Sequence, residues 1–335
     1  MKTREIVRIL FLLLVTGLIT KETKAQVDPH FSQYYMYPSW LNPALTGAFD
    51  GDYRVSGIYR NQWSGISTFS TPGISADFVT DKNMNFGGSI MNQVAGDGAY
   101  SYLTAYASAA YTGVRFGAGG SQYLVFGLDA GLIQRKFDPS KLNFGDQWSP
   151  ATGFPTNMTR DFITRTTAAS FDASAGVLYY DGQTGKKANI FGGVSVSHLT
   201  RPDDKFSASG DARIPMRFTV HGGVKLVVSE VFNLTPNFLY MNQGGAEEKV
   251  IGAYAQLKAS PDVDLMPGIN YRLKDAMSLY LGLYFKNTVL GLSYDVTTSD
   301  LSKMTRGANS FEISLSFTGR KKVKTPSVEF VCPRL

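Results

Sequence analysis

Three histidines, His30, His198 and His221, and a single cysteine, Cys332, are the residues best suited to acid–base, nucleophilic or metal chemistry in this chain. A hydrolase built on His198 or His221 needs a nucleophile and an orienting group within hydrogen-bond reach. No serine motif accompanies either histidine, so both read as side chains satisfied by polar neighbours. One cysteine and scattered histidines give no metal-ligand spacing. The nearest approach to a phosphate loop, Gly117-Ala118-Gly119-Gly120, sits in a turn between strands with no helix after it. The acidic pairs Asp203-Asp204 and Glu247-Glu248 fall in loop sequence and read as solvated surface or weak cation sites. No catalytic residue, cofactor or resident metal is therefore expected.

With no chemistry concentrated at one place, the elements carry the information. The 335 residues are 43% hydrophobic, 13% aromatic and only 18% charged, with 34 glycines, which excludes a disordered, collagenous or coiled-coil chain. The net charge of +6 is not spread evenly: residues 1–25 carry +3 and residues 320–335 carry +4, leaving −1 for the body. A nucleic-acid partner is not expected from such a body. Lys2, Arg4 and Arg8 precede an apolar run from Ile9 to Ile19, too short to span a bilayer, with a small residue at Ala25. This pattern predicts a secretory signal peptide over 1–25. Cys332 lies near the far end and has no partner for a disulfide, so an exported chain of this kind must be stabilised by packing or by the bilayer.

What recurs along the rest is alternation. From Met216 the even positions read Met, Phe, Val, Gly, Val, Leu, Val, and the odd ones Arg217, Thr219, His221, Gly223, Lys225. The same period of two runs through Leu124 to Leu132, Phe171 to Tyr179 and Phe311 to Phe317. A soluble sandwich alternates as well, but its outer face is usually lysine and glutamate. Here the polar face is mostly Gly, Ser, Thr and Asn, with tyrosines near strand ends, which suits a barrel with a polar lumen and aromatic girdles. The predicted fold is all-β: an antiparallel outer-membrane barrel of about fourteen strands, with a plug or hatch before it. The expected strands are 53–59, 73–80, 85–93, 100–112, 122–136, 169–181, 189–198, 214–228, 232–242, 248–259, 263–271, 276–285, 288–297 and 310–317.

The connections test that count. With both termini periplasmic, links after even strands should be short and those after odd strands longer. Most sort this way, the longest being Phe137 to Ala168, Leu199 to Arg213 and Thr298 to Asn309; three odd links are short. In-strand pairs such as Gly87-Gly88, Gly192-Gly193 and Gly222-Gly223 are read as relief of crowding by the curved wall or by an internal plug.

Two segments do not fit a bare barrel. Residues 26–52 are aromatic and interrupted by Pro29, Pro38 and Pro43, so neither a long helix nor a ladder strand suits them. They are expected to fill the lumen as a hatch, with Trp40, Asn42 and Pro43 as its named residues; an adhering periplasmic tail is the alternative. Residues 318–335 form a basic tail, Arg320, Lys321, Lys322 and Lys324 leading to a short apolar piece, and read as a periplasmic docking tail.

At Asp28-Pro29-His30-Phe31-Ser32-Gln33-Tyr34-Tyr35, Leu41-Asn42-Pro43-Ala44-Leu45-Thr46-Gly47 and Tyr59-Arg60-Asn61-Gln62-Trp63 the chain resembles the PorP/SprF family of type IX secretion system outer-membrane proteins. The resemblance continues through Asp172-Ala173-Ser174-Ala175-Gly176, Val196-Ser197-His198-Leu199 and Phe311-Glu312-Ile313-Ser314-Leu315. It implies a non-enzymatic outer-membrane barrel of the secretion and gliding machinery. The implied partners are a large secreted surface adhesin, periplasmic ring components, or both. On that reading Phe144, Trp148, Phe154 and Phe162 are candidates for an outer partner surface. A gated transporter of small or hydrophobic solutes stays open as a second function, since fourteen strands enclose room for a ligand.

Overall fold

The computed structural model describes residues 28–63, 69–96, 99–142, 144–153, 166–203, 213–299, 302 and 309–320. The signal peptide expected over 1–25 lies outside the described residues. Fourteen strands follow in order: β1 (Tyr53–Gln62), β2 (Phe69–Phe78), β3 (Met84–Ala95), β4 (Tyr100–Phe116), β5 (Gln122–Phe137), β6 (Thr167–Asp181), β7 (Ala188–Ser197), β8 (Arg217–Ser229), β9 (Phe232–Gln243), β10 (Ala246–Ser260), β11 (Val263–Arg272), β12 (Ala276–Phe285), β13 (Thr288–Thr297) and β14 (Ser310–Gly319). Each pairs antiparallel with its sequence neighbours, and β1 pairs with β14, so the sheet is a closed ring. Closure leaves no edge of unpaired backbone groups, which hydrocarbon would penalise by several kcal/mol per group. No described helix is long and apolar enough to cross a membrane.

The two faces are inverted relative to a water-soluble protein. On β8, Arg217, Thr219 and His221 are buried while Phe218 and Val220 are exposed. Leu128, Phe171 and Leu315 are more than half exposed, whereas Asp172 and Glu312 are at most 1% exposed. Apolar surface costs about 25 cal/mol per Å² in water. An exterior so largely apolar is therefore suited to a bilayer, and the polar residues read from the alternation are lumen residues.

Two differences from the expected strands have physical causes. Strand β2 starts at Phe69 instead of residue 73 because it accommodates Pro72 in its interior. Proline cannot donate to a ladder, and the β2–β3 pairing accordingly lapses at Thr71 and Pro72 while the register is kept, from Ser70 opposite Val94 to Gly73 opposite Met91. Glu247 and Glu248 lie inside β10 and not in a loop. Because successive strand residues face opposite sides, Glu247 is outside with Lys249 at 2.6 Å, and Glu248 is buried 3.2 Å from Arg272.

The links divide the barrel into two rims. At one, where Tyr53 of β1 meets Gly319 of β14, the turns are short, as at 261–262 and 286–287. The other carries the links 63–68, 138–166, 198–216 and 298–309, together with shorter turns such as Gly244-Gly245. Both of those glycines have positive φ, the backbone that a two-residue hairpin requires.

Candidate functional site

Two prolines shape the chain before β1. Pro38 opens one α-helical turn, Pro38–Leu41, and Pro43 opens a 3-10 turn, Pro43–Leu45; another 3-10 turn, Tyr34–Met36, precedes them. A fixed φ favours the first position of a turn, and the missing N–H prevents the turns from merging into one helix. Asn42 joins the last two: its backbone is extended and its Oδ1 accepts from the Ala44 amide at 2.9 Å. Residues 31–48 are all buried, and Leu41, Asn42 and Ala44 have no exposed surface.

Their partners are the inward side chains of the barrel. Asn42 Nδ2 donates to the Val177 carbonyl of β6 at 3.1 Å and to that of Val194 of β7 at 3.3 Å, and lies 3.2 Å from His221 Nε2 of β8. Ser195 Oγ donates to the Leu41 carbonyl at 2.8 Å. A β-carbon on Gly127 would overlap the Pro43–Ala44 backbone, and one on Gly176 would overlap Asn42 Oδ1. These two glycines let the segment touch the wall. The Trp40 ring meets Phe31 edge-on at 5.4 Å and lies under the Arg217 guanidinium at 4.7 Å.

Two charged clusters hold the start of the segment near the long-link rim. In the first, Asp28 Oδ2 accepts from Arg217 Nη1 and from His198 Nε2, both at 2.8 Å, and Oδ1 accepts from Tyr102 OH at 3.0 Å. His198 Nδ1 lies 2.7 Å from Asp172 Oδ2, so the ring is flanked by two carboxylates. Burial alone would lower its pKa, but Asp28 and Asp172 outweigh this and push it up to about 9. Burial opposes ionisation of Asp28 as well; the charges of His198 and Arg217 nevertheless hold its carboxyl well below the usual range.

In the second cluster, Glu312 of β14 accepts from two successive backbone amides, Ser32 at 2.6 Å and Gln33 at 2.9 Å. It also accepts from Arg60, its cross-strand partner on β1. Arg60 Nη2 reaches Asp295 of β13 at 2.9 Å, and Ser32 Oγ donates to Asp295 at 2.7 Å. Arg272 of β11 donates to Ser32 Oγ at 2.9 Å. His30 Nε2 faces Arg272 at 3.1 Å and Arg60 at 3.2 Å, so it accepts and its ring is neutral. Burial, then these two cations, lower its pKa well below the ordinary value. Residues 28–33 thus cross the lumen between strands β4, β8 and β9 on one side and β1, β11, β13 and β14 on the other.

The other end is less firmly tied. Thr46 Oγ1 donates to Ser108 Oγ at 2.9 Å, and the Asp52 amide donates to the Gly319 carbonyl at 2.9 Å. Between these points a cavity of about 270 Å³ lies at the short-turn rim, lined by Thr46, Phe49, Asn85, Arg115, Tyr123 and Tyr180 among others. Among the described residues no group of three metal-ligating side chains occurs.

The structure brings Trp40, Asn42 and Pro43 together against β5 to β8, and leaves Phe144, Trp148 and Arg320 apart from them. Phe144 is half-buried and Trp148 is 56% exposed in the link after β5, beside a Ser149–Gly153 bridge. Phe154 and Phe162 lie outside the described residues. Arg320 is exposed and pairs with Asp50, while Lys321, Lys322 and Lys324 also lie outside them. Sequence reasoning did not single out Asp28, Arg60, Arg217, Arg272, Asp295 and Glu312. A signal was available for two of them: Asp295 and Glu312 are each the one charge on a strand face otherwise made of small or uncharged residues.

Comparison with known proteins gives two independent results. The family described as "Type IX secretion system membrane protein PorP/SprF" matches residues 23–317. No curated protein matches. Among solved structures the chain is similar to the Ralstonia pickettii toluene transporter TbuX, at 12% identity over 83% of this chain and 92% of that one, with a TM-score of 0.50. It is also similar to the CymD monoaromatic hydrocarbon channel, at 12% identity over 89% and 96% with a TM-score of 0.49. The P. putida toluene transporter TodX follows at 11% identity over 88% and 95%, with a TM-score of 0.47. At these identities the likeness is one of fold.

Proposed function

The chain belongs to the PorP/SprF family of type IX secretion system membrane proteins, and from that premise we propose that it is a non-enzymatic, plugged barrel serving secretion or surface display. Its location is the outer membrane, as the family and the closed lipid-facing barrel require. In this reading residues 28–48 close the lumen and the long-link rim carries the surface for a secreted adhesin. The short-turn rim and the basic tail face periplasmic ring components. The observation that supports it best is the family match over nearly the whole mature chain, and the buried segment crossing the lumen agrees with it. Exposed Trp148 supports an outer partner, since exposed aromatics at a rim are favourable contact anchors.

The test is purification of the tagged protein from outer membranes in mild detergent, followed by mass spectrometry. Recovery of a very large secreted adhesin or of periplasmic ring lipoproteins is the expected outcome. A clean barrel without partners would overturn the partner assignment.

A second reading, a gated channel for small or hydrophobic solutes, has one observation in its favour: the 270 Å³ cavity beside the segment's less firmly tied end. The toluene transporters of similar fold make such solutes the natural probes. Solute uptake into liposomes by the wild-type barrel supports this reading, and a barrel that stays closed to them removes it.

A further inference from the structure

Asp28 sits in a site that the barrel builds without it. The three donors to its carboxylate come from separate elements: Tyr102 from β4, His198 from the end of β7 and Arg217 from the start of β8. They are 1%, 3% and 5% exposed. Barrel groups also orient two of them: His198 Nδ1 rests on Asp172 Oδ2, which receives Tyr106 OH at 2.7 Å, and Arg217 Nη2 lies 3.2 Å from Ser197 Oγ. Without Asp28 the site keeps the Arg217 guanidinium, the Tyr102 hydroxyl and a His198 ring held by Asp172, buried donors from three elements aimed at one point. Such an arrangement selects a carboxylate, because two oxygens satisfy the donors on both sides. A cavity of about 30 Å³ adjoins it, touched by Asp28, His198 and Arg217. Trp40 and Ser39 also line this cavity, and their Nε1 and Oγ have no hydrogen-bond partner among the described residues.

We propose that Tyr102, His198 and Arg217 form a carboxylate-binding site of the barrel wall, that Asp28 is its tethered occupant, and that a carboxylate on an extended polypeptide arriving at the long-link rim exchanges with Asp28 and releases the segment. The inference rests on the reading of residues 28–48 as a closure. A tether gives its ligand an effective concentration in the millimolar range. The bonds of Ser32 and Gln33 to Glu312 add to the tether and hold Asp28 in place against a simple anion, whereas a polypeptide that makes additional contacts of its own can displace it.

The test uses the full chain in detergent micelles. The variant D28A should melt at a lower temperature than wild type, and sodium acetate should restore much of the loss. Sodium chloride at equal ionic strength should not, and neither salt should shift wild type or D28A/R217M. If D28A does not fold unaided, recovery of folded barrel in acetate but not in chloride is the same result. For the exchange, a single-thiol variant T46C/C332S is treated with a peptide copying residues 26–36. The thiol should react at least fivefold faster, and the same peptide carrying D28N should have no effect. Equal action of acetate and chloride, an acetate effect that survives R217M, recovery in neither salt, or equal action of the two peptides overturns the proposal. None of these readouts involves a secretion partner, so their failure is distinct from a failure of co-purification.

Discussion

The two ends of the lumen segment are held by different forces. Residues 28–33 are tied by ion pairs and charge-assisted hydrogen bonds to Arg60, Arg217, His198, Asp295 and Glu312, all at most 5% exposed. Residues 46–52 have one neutral side-chain bond to Ser108, backbone bonds between Asp52 and both Gly319 and Val79, a solvent-exposed Asp50–Arg320 ion pair and a 270 Å³ cavity beside them. Buried charges are costly to leave unpaired, so the first end has one favourable arrangement. Neutral contacts next to open space, and an ion pair screened by solvent, are replaceable by water. The contrast teaches that the segment is anchored at the long-link rim and that the short-turn rim is where it can yield first.

The strongest way to break this contrast is to remove the central cation. Arg60→Met leaves Glu312 without its guanidinium and Asp295 with Arg272 alone, and should cost about 3–5 kcal/mol of unfolding free energy in a denaturant titration in micelles. A cost no larger than that of a substitution at Thr46 would refute the asymmetry. Asn42→Ala, at the middle of the segment, removes a cap and two bonds to wall carbonyls and should cost about 1–2 kcal/mol by the same titration.

A pH titration sharpens the comparison at the Asp28 cluster. His198 has a folded pKa of about 9 against an unfolded value near 6.5, so its contribution is complete below the unfolded value. It declines as pH rises between the two values and is lost above about 9, leaving Asp28 with Arg217 and Tyr102. The melting temperature should fall over that interval, and H198Q should flatten the fall. A wild-type profile unchanged by H198Q would remove His198 from the anchor. The smallest effect is expected at the other end: Thr46→Val should cost about 0.5–1 kcal/mol, because the loss is one neutral hydrogen bond in a place water can reach.

Legibility in the sequence followed the range of the interactions. Strands β5, β12 and β13 have nearly the ends that alternation predicts, because period-two patterning is a local property. Strand β2 begins at Phe69, four residues before the expected 73, because the ring tolerates a lapse of pairing at Thr71 and Pro72. Glu248 was read with its neighbour as loop surface; a strand running two residues further turns one carboxylate inward and one outward. Asn42 was picked out by its motif, but nothing local shows that it meets Val177 and Val194.

The sequence by itself determined an exported, charge-poor chain of alternating strands whose polar faces are lined with small residues, since composition and periodicity act between near neighbours. Only the tertiary structure decided that Asp28 meets Arg217 and that the Ser32 and Gln33 amides meet Glu312. Those partners are 189, 280 and 279 residues apart along the chain. Their meeting depends on the order and stagger of fourteen strands in a closed ring. The physical reason is that inward charges find partners across a lumen, and distance across a lumen is set by closure of the wall and not by spacing along the chain.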